Sequence, residues 1–170
     1  MKASFHRSFV EVFDANFQRV FRYIDRQGGD PELAADVAQD TFLRLYRRGS
    51  LPDSPEAWLI TVASNLFRNA RSKTARRKRL LTAERGAAVL AEEAPSPQDV
   101  LCASRERDRA RAVLESLSER DRRLLLLRAE GYSYHDIAEA LGLNEASIGT
   151  LLARSKRAFR KAYEEFIHAP

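Results

Sequence analysis

Fourteen residues, RNARSKTARRKRLL at 68–81, hold seven lysines and arginines and no acid. The long stretches on either side are close to balanced: residues 1–67 carry eight basic against nine acidic side chains, and residues 105–170 carry thirteen against eleven. The net charge of +5 is therefore concentrated in one segment. Arg68, Arg71, Lys73, Arg76, Arg77, Lys78 and Arg79 fall at too many azimuths of a helix to make one solvated face. They suit a run of phosphates, whose neutralisation releases counterions and weakens steeply with salt. A second cluster without acids is Arg154, Lys156, Arg157, Arg160 and Lys161. Two separated basic clusters indicate a polyanion touched in two places. Just ahead of the first cluster stands Asn65, a weak helix former in a helical stretch. Its amide offers both a donor and an acceptor to a base edge.

Bond-breaking chemistry is not written in this chain. No nucleophile is paired with a base, and no glycine-rich loop is present to cradle a phosphate. His6, His135 and His168 are far apart and lack ligand partners at metal spacing. Cys102 is the one cysteine, which excludes a disulfide framework. The expectation is a protein that is not an enzyme and uses neither cofactor nor metal. No apolar run approaches membrane-spanning length, and the opening MKASFHRSFVEVFD has acids where a signal peptide is apolar. No membrane insertion and a cytoplasmic location are expected.

The elements that must position these groups are helical throughout, because apolar residues recur at helical rather than alternating spacing. Phe9, Phe13, Phe17, Val20, Phe21 and Ile24 mark a long first helix whose phenylalanine stripe faces the core. GGDP at 28–31 ends it, with Asp30 as the next N-cap and Pro31 in the first turn. The second helix stops at Gly49, and the third opens on Ser54-Pro55 and carries Trp58, Leu59, Val62 and Leu66 into the basic run. Residues 82–104 turn Ala-rich and acidic around PSP and read as a tether. Helices resume near Arg105. Ser118 with Asp121, and Ser133 with Asp136, have capping-box spacing, and Gly131 supplies the stop between them. The fold expected is all-α: two small helical domains, 1–81 and 105–170, joined by a flexible linker over 82–104.

Residues 134–153 meet the demands of a helix-turn-helix in order. Ile137 points inward, Ala138 lets two helices approach, and Gly142 permits the positive φ of the turn. Ile148 and Leu151 pack the second helix back, and Leu143 with Ile148 staples the start around Asn144. A helix of this kind lies in a major groove with its first turns toward base edges. Ser147 and Thr150 are placed to meet bases or phosphates, and Arg154 and Arg157 to hold the backbone. Glu145 instead favours the helix dipole.

The second helix, PELAADVAQDTFLRLYRR, has a different outer face. Ala34, Val37, Ala38, Thr41, Phe42 and Leu45 fill the core arc at 100° per residue, while Asp36, Gln39, Asp40 and Leu43 share the opposite one. An apolar Leu43 within a polar rim is the arrangement of a protein-interface anchor.

Taken together, LAADVAQDTFLRLYRR, EAWLITVASNLFRNARSK and the 114–161 segment resemble the extracytoplasmic-function (ECF) sigma factors, minimal two-domain members of the sigma-70 family. The likeness covers roughly residues 9–80 and 105–162. It implies a transcription initiation factor whose partners are core RNA polymerase (β′ clamp helices and β flap), promoter DNA and an anti-sigma factor. Asp36, Gln39, Asp40 and Leu43 then meet the clamp helices. Asn65, Arg68, Arg71, Lys73, Arg76 and Arg77, with the 49–54 loop, act on the −10 element, and the helix-turn-helix reads the −35 element. The chain departs from the family's common residues at Ser64, Asn69, Ser72, Gly149 and Leu151. No −35 sequence preference is carried across those changes. The alternative is a stand-alone helix-turn-helix regulator of LuxR type, which would leave residues 1–80 without a polymerase to grip.

Overall fold

Asp30 is where the second helix begins: its side chain accepts the Leu33 N–H, and Pro31 takes the first helical position. Gly49 ends that helix at φ 75°, with its own N–H on the Tyr46 carbonyl. The computed structural model describes residues 2–84 and 98–168, and side chains over 4–80 and 105–168. Its helices are α1 (Lys2–Gly28), α2 (Pro31–Arg48), α3 (Pro55–Glu84), α4 (Gln98–Ser116), α5 (Glu119–Ala129), α6 (Tyr134–Leu141) and α7 (Glu145–His168). No strand occurs among the described residues. Helix reaches further into the expected tether than its composition suggests, with α3 running on to Glu84 and α4 starting at Gln98. The rest of that tether, and the side chain of Cys102, lie outside the described residues.

The first three helices each pack on the other two around Val20, Tyr23, Ile24, Val37, Phe42, Leu45, Leu59 and Ile60, all buried. Each such side chain contributes about 1.5–3 kcal/mol on leaving water. The arc of α2 is as its sequence requires: Ala34, Val37, Ala38, Thr41, Phe42 and Leu45 are its buried residues. The phenylalanine stripe of α1 lies at the margin of this core and is only partly buried. Phe13 and Phe17 set their rings 5.0 and 5.7 Å from Phe42, and Phe9 stands edge-on to Tyr46 at 5.2 Å. At the end of α1, Gly28 lets Phe67 of α3 come so close that a Cβ would stand 2.7 Å from its ring.

The last four helices form a second unit around Val113, Leu124, Leu127, Ile137, Ile148 and Leu152. Helices α5 and α6 both start on a serine. Ser133 and Asp136 make the full reciprocal capping box. Ser118 caps α5 through the Asp121 N–H, but the Asp121 carboxylate accepts the Ser118 hydroxyl (2.7 Å) and that of Ser155 (2.7 Å). That carboxylate ties α5 to α7. Burial pushes its pKa up, yet the hydrogen bonds from Ser118 and Ser155 and the charge of Arg120 outweigh burial and leave it lowered.

The two units are packed against each other, α1 and α3 of the first on α5 and α6 of the second. The buried apolar cluster runs across both without a break. Among the described residues no helix is long and apolar enough to cross a membrane.

Candidate nucleic-acid interface

The helix-turn-helix is α6 and α7. Gly142 turns the chain between them at φ 65°, a conformation open to glycine without steric cost. Leu143 N–H reaches back to the Ala138 carbonyl at 2.8 Å, and the Asn144 side chain accepts the Ala146 N–H at 3.0 Å. Ile137 and Ala138 on α6 meet Ile148 and Leu152 on α7 in the core. That packing turns one face of α7 inward and leaves the other to solvent. Glu145, Ser147, Thr150, Arg154 and Arg157 are all exposed. Gly149 is half-buried, and a Cβ there would meet only the Tyr134 ring, at 3.6 Å. At the turn His135 bridges the two helices, its Nδ1 3.1 Å from Glu145. The hydrogen bond and charge of Glu145, helped by Glu139, raise its pKa.

Helix α3 carries the other basic group. Asn65 and Arg68 are exposed one turn apart, with Arg68 donating to the Asn65 side-chain oxygen at 3.2 Å. Arg71, Lys73, Arg76 and Arg77 follow, all exposed. Three turns of α3 are packed on more than one side: Ala57, Leu59, Ile60, Ala63, Ser64 and Phe67 are buried, while Trp58, Val62 and Leu66 are only partly so. The core side of this helix is thus shifted from the Trp58/Leu59/Val62/Leu66 line, because α6 also packs on it. Trp58 faces a groove of about 330 Å³ that it shares with the loop at 52–54.

On α2 the expected interface face is open. Leu43 is 44% exposed, beside exposed Asp36 and Gln39. Asp40 is partly exposed and pairs with Arg44 at 3.3 Å.

Several residues with evident roles had no signal in the sequence. Ser64 is buried and accepts from Arg123 of α5 at 3.2 Å, while Arg123 also reaches the Tyr23 hydroxyl at 3.1 Å. Glu130 is buried between Arg22 and Arg26. Both arrangements depend on contacts across some 60 to 110 positions of chain, which no local pattern announces.

A basic helix, an exposed Leu43 within a polar rim and a helix-turn-helix thus share one chain. Residues 12–77 match the family model of sigma-70 region 2, and residues 107–159 that of sigma-70 region 4. The ECF RNA polymerase sigma factor SigE of Mycolicibacterium smegmatis is 29% identical over 156 residues, covering 90% of this chain and 60% of that protein. The ECF RNA polymerase sigma factor EcfG of Rhodopseudomonas palustris is 33% identical over 141 residues, 78% of this chain and 71% of that one. The sigma factor RpoE of Bartonella quintana, solved with the anti-sigma factor NepR, shares the fold: TM-score 0.62 at 19% identity, over 95% of this chain and 97% of that one. The chain belongs to the ECF sigma factors of the sigma-70 family. It spans about three fifths of the length of SigE. The reading as a stand-alone LuxR-type regulator finds no support, since region 2 accounts for the half that such a regulator leaves unexplained.

Proposed function

We propose that the chain is a transcription initiation factor that docks on core RNA polymerase, directs it to promoters with −35 and −10 elements, and helps to open the −10 element in the cytoplasm. The observation that carries this reading is the sharing of one chain by two chemistries, an apolar anchor with an acidic rim on α2 and outward basic and hydroxyl rows on α3 and α7. Asp36, Gln39, Asp40 and Leu43 meet the β′ clamp helices. Leu43 is the desolvated centre of that contact, and the polar groups around it exclude water.

Ser147 and Thr150 face the −35 base edges from the first turns of α7, and Arg154 and Arg157 hold the flanking phosphates. Opening a duplex costs a few kcal/mol per unstacked step, so the melted strand needs a place to go. Arg68, Arg71, Lys73, Arg76 and Arg77 hold its phosphates, and Asn65 with the groove beside Trp58 receives an extruded base. Bond formation is left to the polymerase, and no catalytic group is assigned to this chain. An anti-sigma factor is a further expected partner, as for RpoE of B. quintana, which was solved with one.

The test is binding of the fluorescently labelled chain to bacterial core RNA polymerase, wild type against Leu43→Ala with Asp40→Ala. Nanomolar binding that the double substitution weakens at least tenfold (about 1.4 kcal/mol) is expected. Absence of binding to the core, with tight duplex binding by the chain alone, would overturn the reading.

A further inference from the structure

Where the end of α1 meets α3 and the start of α5, four arginines line one small recess: Arg68 and Arg71 of α3, and Arg122 and Arg123 of α5. Glu119 is the one carboxylate among its lining residues, 3.4 Å from Arg68. Positive charge in the lining is therefore far from cancelled. Two N–H donors of the recess are buried and have no acceptor among the described residues: Gln27 Nε2, from the end of α1, and Arg122 Nε. Gln27 is only 7% exposed, so its amide is withdrawn from bulk water. Arg123 is held by two neutral hydroxyls, those of Tyr23 at 3.1 Å and Ser64 at 3.2 Å. That anchoring fixes its guanidinium in the wall without opposing its charge.

A buried donor without an acceptor is costly, and so is a cluster of like charges. Water would satisfy the two donors but not the charge. A phosphate-type oxyanion answers both, because its oxygens accept from amide and guanidinium N–H groups together and its charge opposes the arginines. The recess has a volume of about 210 Å³, below the roughly 300 Å³ at which sites for drug-sized ligands begin. It suits a compact anion and lacks room for the sugars and bases that flank a phosphate inside a DNA strand. We infer that the recess between α1, α3 and α5 binds a small free oxyanion of the phosphate class, with Gln27 and Arg122 at its floor and the exposed Arg68 and Arg71 at its rim. Arg68 and Arg71 also belong to the strand-holding row of the proposed function. Gln27 and Arg122 do not, so changes at these two address the anion alone.

The probe is inorganic phosphate, titrated into the full chain against sodium chloride of matched ionic strength, with melting temperature and calorimetric heat as readouts. The wild type is expected to show a saturable rise in melting temperature and the heat of one-site binding. Arg122→Met is expected to weaken phosphate at least about tenfold and Gln27→Leu about threefold. Arg160→Met, which removes the same charge from an exposed position on α7, is expected to leave phosphate binding unchanged. Binding of a labelled oligo(dT) strand, measured on the same variants, is expected to be nearly unchanged by Gln27→Leu and Arg122→Met. No rise beyond the chloride control, or an equal loss in Arg160→Met, would overturn the site in favour of diffuse attraction. A lower melting temperature of the two recess variants in chloride, with an undiminished phosphate response, would make them packing residues and also overturn it. Strand binding weakened tenfold by Arg122→Met, with no response to phosphate, would give the recess to the strand and overturn the free anion.

Discussion

Helices α3 and α7 are both long and both carry clustered arginine and lysine, yet they are packed in opposite ways. α7 buries a single line, Ile148, Leu152 and Ser155, and turns the rest of its first turns outward. α3 buries residues on neighbouring azimuths from Ala57 to Phe67, since its own domain covers one side and α6 covers another. The cations of both helices reach solvent, but the start of α3 is wedged between two sets of helices whereas the start of α7 leans on one line. A basic stretch in a sequence reports the capacity to hold a polyanion. How the helix that bears it is held depends on packing from distant parts of the chain.

The sharpest way to break this comparison is through the core that orients α7. Ile148 is fully buried between α6 and α7, and Ile148→Ala is expected to cost about 2–4 kcal/mol. Thermal melting should show the loss, with duplex binding falling alongside it. Next come the outer arginines. Arg154→Ala with Arg157→Ala should weaken duplex binding across all sequences and reduce the slope of log affinity against log salt by about 2. Arg76→Ala with Arg77→Ala should weaken binding of a labelled single strand by the chain while lowering duplex binding less than the α7 pair does. Equal effects of the two pairs on duplex binding would erase the distinction between the helices.

Two smaller effects refine the α7 side. Gly149 is helical with room for a Cβ, so Gly149→Ala should stabilise the chain by about 0.5–1 kcal/mol, read as a higher melting temperature. The smallest effect concerns His135. Glu145 raises its pKa above the usual 6.5, so the protonated form adds stability that is fully present below pH 6.5 and disappears as pH rises through the raised value. His135→Gln should lower the melting temperature at pH 6 and leave it unchanged at pH 9. A deficit of equal size at both pH values would show that the ring contributes through packing rather than charge.

Elements built from local rules were legible in the sequence. The Asp30 cap, the Gly49 stop, the Ser133/Asp136 box and the Gly142 turn each need only residues within one turn of helix, and each is present. The inner and outer arcs of α2 followed from a 100° periodicity because a single domain covers one side of that helix. The same reasoning misplaced the core side of α3, where a second domain adds a second buried face. Ser64 looked like a departure on a DNA-facing helix and is instead a buried acceptor for Arg123. Glu130 gave no signal because its partners, Arg22 and Arg26, are more than a hundred residues away. The extension of α3 and α4 into the Ala-rich segment was also hidden, since PSP and scattered acids suggest a linker over its whole length. Long-range charge pairing has no period, and it is the part of this structure that the sequence withheld.

The central claim is that the chain confers promoter choice on a polymerase. It is tested most directly by reconstituted transcription: bacterial core RNA polymerase with fragmented genomic DNA from the organism that encodes the chain, with and without the chain, with transcript 5′ ends mapped. Discrete start sites that require the chain, share a common pair of upstream elements and weaken with Leu43→Ala are the expected result. The same 5′ ends with and without the chain, from a core polymerase that a different sigma factor added in a control reaction still directs to discrete starts, would contradict the account.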